Sequence, residues 1–316
     1  MTVRLDGSMV AIVTPFKDDA VDEAAFTRLI ELHIGAGTSA IVPCGTTGES
    51  ATLSHQEHDR VIELAVQAAR GRIPVIAGTG SNNTREAIRL TQHAQQAGAN
   101  AALLIAPYYN RPTQRGLFLH FKAIAESTSL PLVLYNIASR TGVNIEPETF
   151  AQLAALPNIV GVKEASGNLE QMSRILQLTT GKLALLSGDD GLTLPVLSIG
   201  GTGVISVTEN LVPRDVATMV SAFQAGRHDE ALQWHQRLAP LTKALFLETN
   251  PIPVKTAMGL LGMIQPELRL PLCTMSEGHQ QKLEQALQDY GLLKGKAILA
   301  SAHSTQQTAH RKSHAN

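Results

Sequence analysis

Lys163 is the residue in this sequence whose type and setting most clearly point to chemistry. It lies inside Ile159-Val-Gly-Val-Lys-Glu-Ala-Ser166, an otherwise apolar run of strand character. A lysine in the middle of a buried strand cannot reach bulk water, and an unpaired ammonium there is costly. Its pKa therefore falls toward neutrality. A neutral amine near pH 7 is a nucleophile whose usual targets are carbonyl groups. The competing reading is a structural lysine in an ion pair, with Glu164 as the nearest partner. Adjacent residues of a strand point to opposite faces, so Glu164 is expected to turn away. Spacing alone leaves both readings open.

An amine that forms an imine needs a proton donor and acceptor close by. Tyr135, ending the preceding apolar run, suits that role. An ordinary tyrosine pKa of about 10 makes it a poor base alone, so a hydrogen-bonded chain through Thr46 and Tyr109 is the expected relay. Each tyrosine by itself reads equally as core packing. Thr46 and Thr47 follow Gly45, a turn whose backbone N–H groups and hydroxyls can hold a carboxylate. The plain alternative is a tight turn. Arg140 offers a planar fork for a second carboxylate, or is a solvated surface charge.

These residues are positioned by eight apolar runs, beginning near Met9, Ser39, Pro74, Ala101, Pro131, Ile159, Leu183 and Gly203. Each is nearly continuous in Val, Ile, Leu and Ala, as parallel strands read when both faces are buried. Segments of helical period separate them. Val21 to Ile34 carries Phe26, Leu29, Ile30 and His33 on one face. Ser54 and Glu57 form a capping box, Gly98 closes a helix, and Pro147 opens one. Eight alternations at roughly 25–30 residues favour a closed (β/α)8 barrel over an open doubly wound sheet. Thr14-Pro15-Phe16 stands where a dinucleotide-binding glycine fingerprint would follow the first strand. The organisation expected is a barrel over 1–225, a helical C-terminal subdomain over 226–296 and a disordered tail over 297–316. The tail's His303, His310 and His314 could bind metal weakly. Polar residues collect where the runs end: Gly45 to Ser50, Tyr108 to Asn110, Tyr135-Asn136, Lys163-Glu164, Gly188 to Asp190 and Ser206 to Thr208. That rim is where barrel enzymes build their sites.

The bulk composition removes other classes. Twenty-six Lys and Arg against 27 Asp and Glu give a net charge of −1, too little basic excess for nucleic acid. Cys44 and Cys273 form neither a metal-ligand pattern nor a disulfide framework. No apolar stretch reaches the ~20 residues of a membrane span, and the Met9–Val13 run is too short for a signal segment. A cytoplasmic protein is expected.

Taken together, GTTGES at Gly45, PYYNRP at Pro107, YN-x-x-SRTG at Tyr135, GVKEASGN at Gly161, GDD at Gly188, GVISVTEN at Gly203 and NPIPVK at Asn250 resemble the dihydrodipicolinate synthase/N-acetylneuraminate lyase superfamily. The resemblance is collinear from Gly7 to Leu293. Arg140, the YYNRP run and NPIPVK point to its synthase branch. The resemblance implies an imine between Lys163 and pyruvate, with Tyr135 shuttling protons and linked to Thr46 and Tyr109, the latter reaching into a neighbouring subunit's site. It implies that Thr47 holds the pyruvate carboxylate and Arg140 that of L-aspartate 4-semialdehyde, with backbone contacts from Gly188 and Ile205. No metal, flavin or nucleotide cofactor is implied. A homotetramer, as a dimer of tight dimers, is implied as well. A feedback site for L-lysine would use Ser50, Ala51, His55, His58, Asn82, Glu86 and Tyr108. His55 and His58, at i and i+3, share a helix face. Without the resemblance, they read as two surface histidines or a metal pair lacking a third ligand. Ala138 replaces a proline common in the family, which is expected to loosen the loop carrying Arg140.

Three rivals remain: a superfamily aldolase acting on N-acetylneuraminate or a 2-keto-3-deoxy sugar acid, a non-catalytic ligand-binding barrel, and a metal-dependent aldolase. Arg140 disfavours the first, which must admit a long polyol, and the intact Lys, Tyr and Thr set disfavours the second. The third lacks an evident ligand cluster.

Overall fold

The computed structural model describes residues 4–294, so the expected tail lies outside the described residues. All eight apolar runs are strands: β1 (Gly7–Ala11), β2 (Ala40–Val42), β3 (Ile76–Gly78), β4 (Ala101–Ile105), β5 (Leu132–Asn136), β6 (Ile159–Glu164), β7 (Ala184–Ser187) and β8 (Gly203–Ser206). Every neighbouring pair is parallel, in the order β2-β1-β8-β7-β6-β5-β4-β3. A bridge between Ile41 and Val75 joins the two ends, so the sheet closes into a barrel. The expected (β/α)8 architecture is present.

The outer ring is α1 (Glu23–Ala36), α2 (His55–Ala69), α3 (Thr84–Ala97), α4 (Gln114–Glu126), α5 (Pro147–Leu153), α6 (Leu169–Thr179), α7 (Thr193–Ser198) and α8 (Pro213–Gln224). Helices α9 (His228–Ala244), α10 (Ile252–Leu260) and α11 (Glu277–Tyr290) come after it in the chain. Boundaries obey local chemistry. The Asp22 carboxylate accepts from Ala25 N–H, so α1 starts after it rather than at Val21. The Ser54–Glu57 capping box is formed in both directions. Gly98 closes α3 at φ 93°. Among the described residues no helix is long and apolar enough to cross a membrane.

Side chains alternate between two cores. Inside the barrel pack Met9, Ala11, Ala40, Val42, Ile76, Leu103, Val133, Tyr135, Leu186 and Ile205. The outward set, including Val10, Ile41, Leu104, Leu134 and Val162, packs beneath the helices. The period of two thus assigns Lys163 to the interior, level with Tyr135 and Leu186 on the flanking strands. At the β1–β8 seam the backbones approach so closely that a Cβ on Gly203 would lie 2.0 Å from the Gly7 carbonyl oxygen.

The same seam buries an acid. Glu209 is fully buried, takes the Ser8 hydroxyl at 3.0 Å on Oε1 and leaves Oε2 without a partner. Burial pushes its carboxyl from about 4.5 up to about 8, against the opposing hydroxyls of Thr38 and Ser8. Because the folded pKa is the higher one, the protonated form favours folding. Its stability contribution is complete below about 4.5 and is lost as pH rises through about 8. Unfolding free energy is expected to decline across that window by up to about 1.4 kcal/mol per pH unit from this group. Glu209→Gln should flatten the decline, as read by urea denaturation at a series of pH values.

Candidate active site

The C-terminal rim of the barrel brings the catalytic candidates to one place. Lys163 is 6% exposed, and its Nζ packs 4.4 Å from the centroid of the Tyr135 ring. Cross-strand register explains the pairing, since Tyr135 and Lys163 are direct partners on β5 and β6. Glu164 faces outward. Its carboxylate takes Asn136 Nδ2 at 2.9 Å and the Ser166 N–H at 2.7 Å, so it is not the partner of Lys163. Burial lowers the Lys163 pKa from 10.5 to about 8, with the negative charge of Asp190 opposing this and the positive charge of Arg140 adding to it. Burial also pushes the Tyr135 phenol up to about 12, against the effects of Arg140 and the Thr46 hydroxyl. At neutral pH the site therefore holds an intact phenol beside an amine with an appreciable uncharged fraction.

Thr46 and Thr47 sit in a turn made by Gly48 N–H to Gly45 O and Glu49 N–H to Thr46 O, each 3.1 Å. Among the described residues nothing accepts from the Thr46 or Thr47 N–H groups. Thr47 is buried and its hydroxyl accepts from Asn250 Nδ2 at 3.0 Å. Two amides and two hydroxyls at one turn suit a carboxylate. Arg140 lies in a one-turn helix, Ala138–Thr141, which Gly142 closes at φ 74°. Its Nη2 donates to the Asn250 carbonyl at 3.1 Å. Ala138 opens this turn. Gly188 stands close to Lys163 at the same rim. Gly188 N–H donates to Glu164 O at 2.8 Å, and a Cβ there would lie 3.1 Å from Lys163 Cε. Ile205 is buried in the barrel interior.

A cleft of about 420 Å³ opens beside Tyr135 at this rim; Lys163, Thr47, Gly188 and Ile205 lie next to it without lining it. Its lining includes Thr46, Tyr135, Arg140 and Asn250 together with Ser50, Ala51, His55, His58, Glu86 and Tyr108. The seven residues proposed for lysine thus share one cavity with the catalytic rim, apart from Asn82, which stands behind it and donates to the Tyr108 carbonyl at 3.2 Å. His58 is not a surface histidine: it is buried, binds the Gly78 carbonyl through Nε2 at 2.9 Å, and burial depresses it to about 4. Glu86 accepts from the Ser81 hydroxyl and from His55 at 2.7 Å, and chiefly the former holds its carboxyl below the usual range. This chamber carries an ionised carboxylate and a neutral imidazole. Among the described residues no group of three or more His, Cys, Asp or Glu is placed to hold a metal ion.

Tyr109 departs from the relay expected within one chain. It is 89% exposed, adopts φ 72°, and does not line the cleft. Three residues carried no role in the sequence reading yet shape the site. Asn250 and Lys255 stood only within the NPIPVK marker, and Asp190 within GDD. Nothing local in the sequence ties Asn250 to a turn 203 residues earlier.

Residues 4–290 match the model of the dihydrodipicolinate synthetase family. The chain belongs to this family. A relative from Syntrophus aciditrophicus named 4-hydroxy-tetrahydrodipicolinate synthase is 58% identical over 287 residues, covering 91% of this chain and 99% of its own. A structure of the family's synthase from Acinetobacter baumannii, described as chloride-inhibited and complexed with pyruvate, superposes with a TM-score of 0.90 at 46% identity, covering 92% of this chain and all of that one. One from Cyanidioschyzon merolae, with lysine bound, gives 0.88 at 44%, covering 91% and 99%.

The geometry leads to two expected outcomes. Attack by Lys163 on a carbonyl requires the free amine, so adduct formation is expected to rise with pH through a midpoint near 8. Measuring the rate of borohydride-trapped adduct against pH checks this; a midpoint above 10 would mean an ordinary solvated lysine. Gly188→Ala places a methyl 2.7 Å from Ala165 Cβ as well as against Lys163. It should slow adduct formation at least about tenfold by displacing the amine, measurable by the same trap.

Proposed function

We propose that this protein condenses pyruvate with L-aspartate 4-semialdehyde to 4-hydroxy-tetrahydrodipicolinate through an imine on Lys163, and that L-lysine inhibits it. The observation that carries the reading is an enclosed amine of lowered pKa over the Tyr135 ring, at the rim where the Thr46–Thr47 turn lies. The names and ligands of the family relatives support the substrate and the inhibitor.

Pyruvate enters with its carboxylate on the Thr46–Thr47 amides and the Thr47 hydroxyl. The free amine of Lys163 attacks C2, the resulting carbinolamine loses its hydroxyl as water, and the imine forms. Tyr135 gives the proton that makes this hydroxyl a leaving group and takes one back, which its high pKa permits only as a relay. Loss of a C3 proton then gives an enamine, with the imine nitrogen as electron sink. No external cofactor enters. The enamine adds to the aldehyde carbon of the second substrate, whose carboxylate Arg140 receives at the mouth of the cleft. The amine of that substrate displaces Lys163 from C2, closing the ring and restoring the enzyme. The balance is one water released per turnover.

Within one chain Tyr135 has Thr46 but not Tyr109, so we assign the outer end of the relay to Tyr109 of a second copy. Its high exposure supports a place in a subunit contact, within the tetramer that the resemblance implies. The acidic side chamber around Glu86 and His58 suits a cationic amino acid. That Ser50 and Ala51 line the same cavity as Thr46 supports an inhibitor close to the substrate turn.

The test is turnover of pyruvate with L-aspartate 4-semialdehyde against sugar-derived aldehydes. Only the former is expected to react efficiently, and Lys163→Ala should abolish both turnover and the borohydride-trapped pyruvate adduct. Preference for a polyol aldehyde would move the assignment to the lyase branch. Tyr135→Phe should lower kcat by roughly 10²–10⁴-fold, and Arg140→Ala should raise KM for the aldehyde about 10–100-fold with little effect on adduct formation. Millimolar L-lysine should reduce the rate, and Glu86→Ala should remove that sensitivity; an unchanged wild-type rate would discard the inhibitor site.

A further inference from the structure

The turn that carries Thr46 and Thr47 is gripped by a buried charge from the other end of the chain. Lys255, in α10, has no exposed surface, and its Nζ lies 2.5 Å from Glu49 Oε1, whose side chain is equally enclosed. The same ammonium donates to the Thr14 carbonyl at 3.0 Å and sits 4.2 Å above the Phe16 ring. Glu49 Oε2 accepts from the Arg269 N–H at 3.2 Å. An enclosed ion pair contributes little net stability, because desolvation offsets most of the attraction, and a packed apolar pair can serve a fold as well or better. Stability does not account for it.

Its location does. Glu49 lies two residues beyond Thr47, at φ 53° and ψ 37°, a left-handed conformation that glycine adopts freely and glutamate does not. The side chain at this position therefore carries a function that its backbone opposes. Chain on both sides of the pair meets the same turn. Asn250, five residues before Lys255, donates to the Thr47 hydroxyl. Thr14, whose carbonyl takes the Lys255 ammonium, gives its hydroxyl to Gly48 O at 2.8 Å.

We propose that Glu49 and Lys255 are positioning residues for the carboxylate-binding turn, fixing Thr46 and Thr47 against Asn250 so that substrate binding depends on docking of the Pro251–Arg269 segment at the barrel rim. The proposal rests on the reading of that turn as the pyruvate carboxylate site. Neither residue touches the reacting atoms. The pair acts through the placement of two amides and a hydroxyl, and a displaced turn loses hydrogen bonds to the bound carboxylate.

The experiment compares Lys255→Met, Glu49→Gln, Glu49→Gly and the double variant Glu49→Met/Lys255→Met, reading Tm, KM for pyruvate and kcat. The single Lys255→Met variant leaves a buried bare carboxylate and should lose stability. The double variant removes both charges, and its Tm should return close to the wild-type value. KM for pyruvate should nevertheless stay raised about tenfold or more in every variant, the double included, while kcat changes less than about threefold. A double variant that recovers KM together with Tm would reduce the pair to a structural feature and overturn the proposal. So would a wild-type KM in Glu49→Gly, which would make backbone shape alone sufficient. Should the double variant not fold, Glu49→Gln, which keeps side-chain shape and one acceptor oxygen, decides the matter on KM alone. Borohydride trapping of wild-type enzyme with pyruvate runs in parallel. Absence of a wild-type adduct removes the substrate reading itself, whereas a normal adduct with unaltered KM in the variants removes only the positioning role.

Discussion

The chemistry of this molecule depends on the cost of keeping an ammonium ion out of water. A lysine on the surface is protonated at neutral pH and useless as a nucleophile. Closing eight strands into a barrel encloses Lys163 between Tyr135 and Leu186 of the flanking strands, and burial lowers its pKa to about 8. The depression is moderate because Asp190 pulls the other way. A much deeper shift would give a weaker base with less affinity for the carbonyl carbon, and no shift would leave the amine masked. The same enclosure raises Tyr135, so the phenol stays intact as a donor. One desolvated interior thus prepares both members of the pair, and the β5–β6 register, Tyr135 against Lys163, sets their distance.

The second constraint is that a single stretch, Gly45 to Ala51, serves two parts of one cleft. Thr46, Ser50 and Ala51 all line it, in company with Tyr135 and Arg140 and with Glu86 and His58. A ligand in the chamber need not send a signal through the protein body to be felt at the turn. It needs only to favour one arrangement of a segment that both proposed sites share, which is the minimum physical content of coupling between two ligands.

Much of this was legible in the sequence because it rests on local pattern. Continuous apolar runs marked all eight strands, and alternation within β6 sent Lys163 inward and Glu164 outward, as the hydrogen bonds of Glu164 to Asn136 and Ser166 bear out. The Ser54–Glu57 box and Gly98 marked helix ends through chemistry confined to a few residues. Pattern could not reveal contacts between distant chain segments. The Lys255–Glu49 pair spans 206 positions and Asn250–Thr47 spans 203. No periodicity encodes either. His58 was also misjudged from spacing: its position opposite Gly78, on a strand edge 20 residues away, buries it. Tyr109 is exposed, as a residue that the resemblance sends into a neighbouring subunit's site would be in a single chain.

These long-range contacts change how the chain beyond the barrel is understood. Helices added after a complete (β/α)8 unit could be an appendage that stabilises one face. Here Asn250 holds Thr47 and, through its carbonyl, Arg140. Arg269 reaches the Glu57 carboxylate at 2.6 Å and the Thr52 carbonyl at 3.1 Å, tying the start of α2 to the same segment. His55 and His58 lie on that helix. Asn250 and Arg269 therefore contact the Thr46–Thr47 turn, Arg140 and the start of α2 together. A barrel supplies rigid strand ends but leaves its loops to be fixed by something else. In this protein the contacts that hold Thr47 and Arg140 come from the chain's own later segment, so under the proposed reading the site draws on both the barrel and the helices after it.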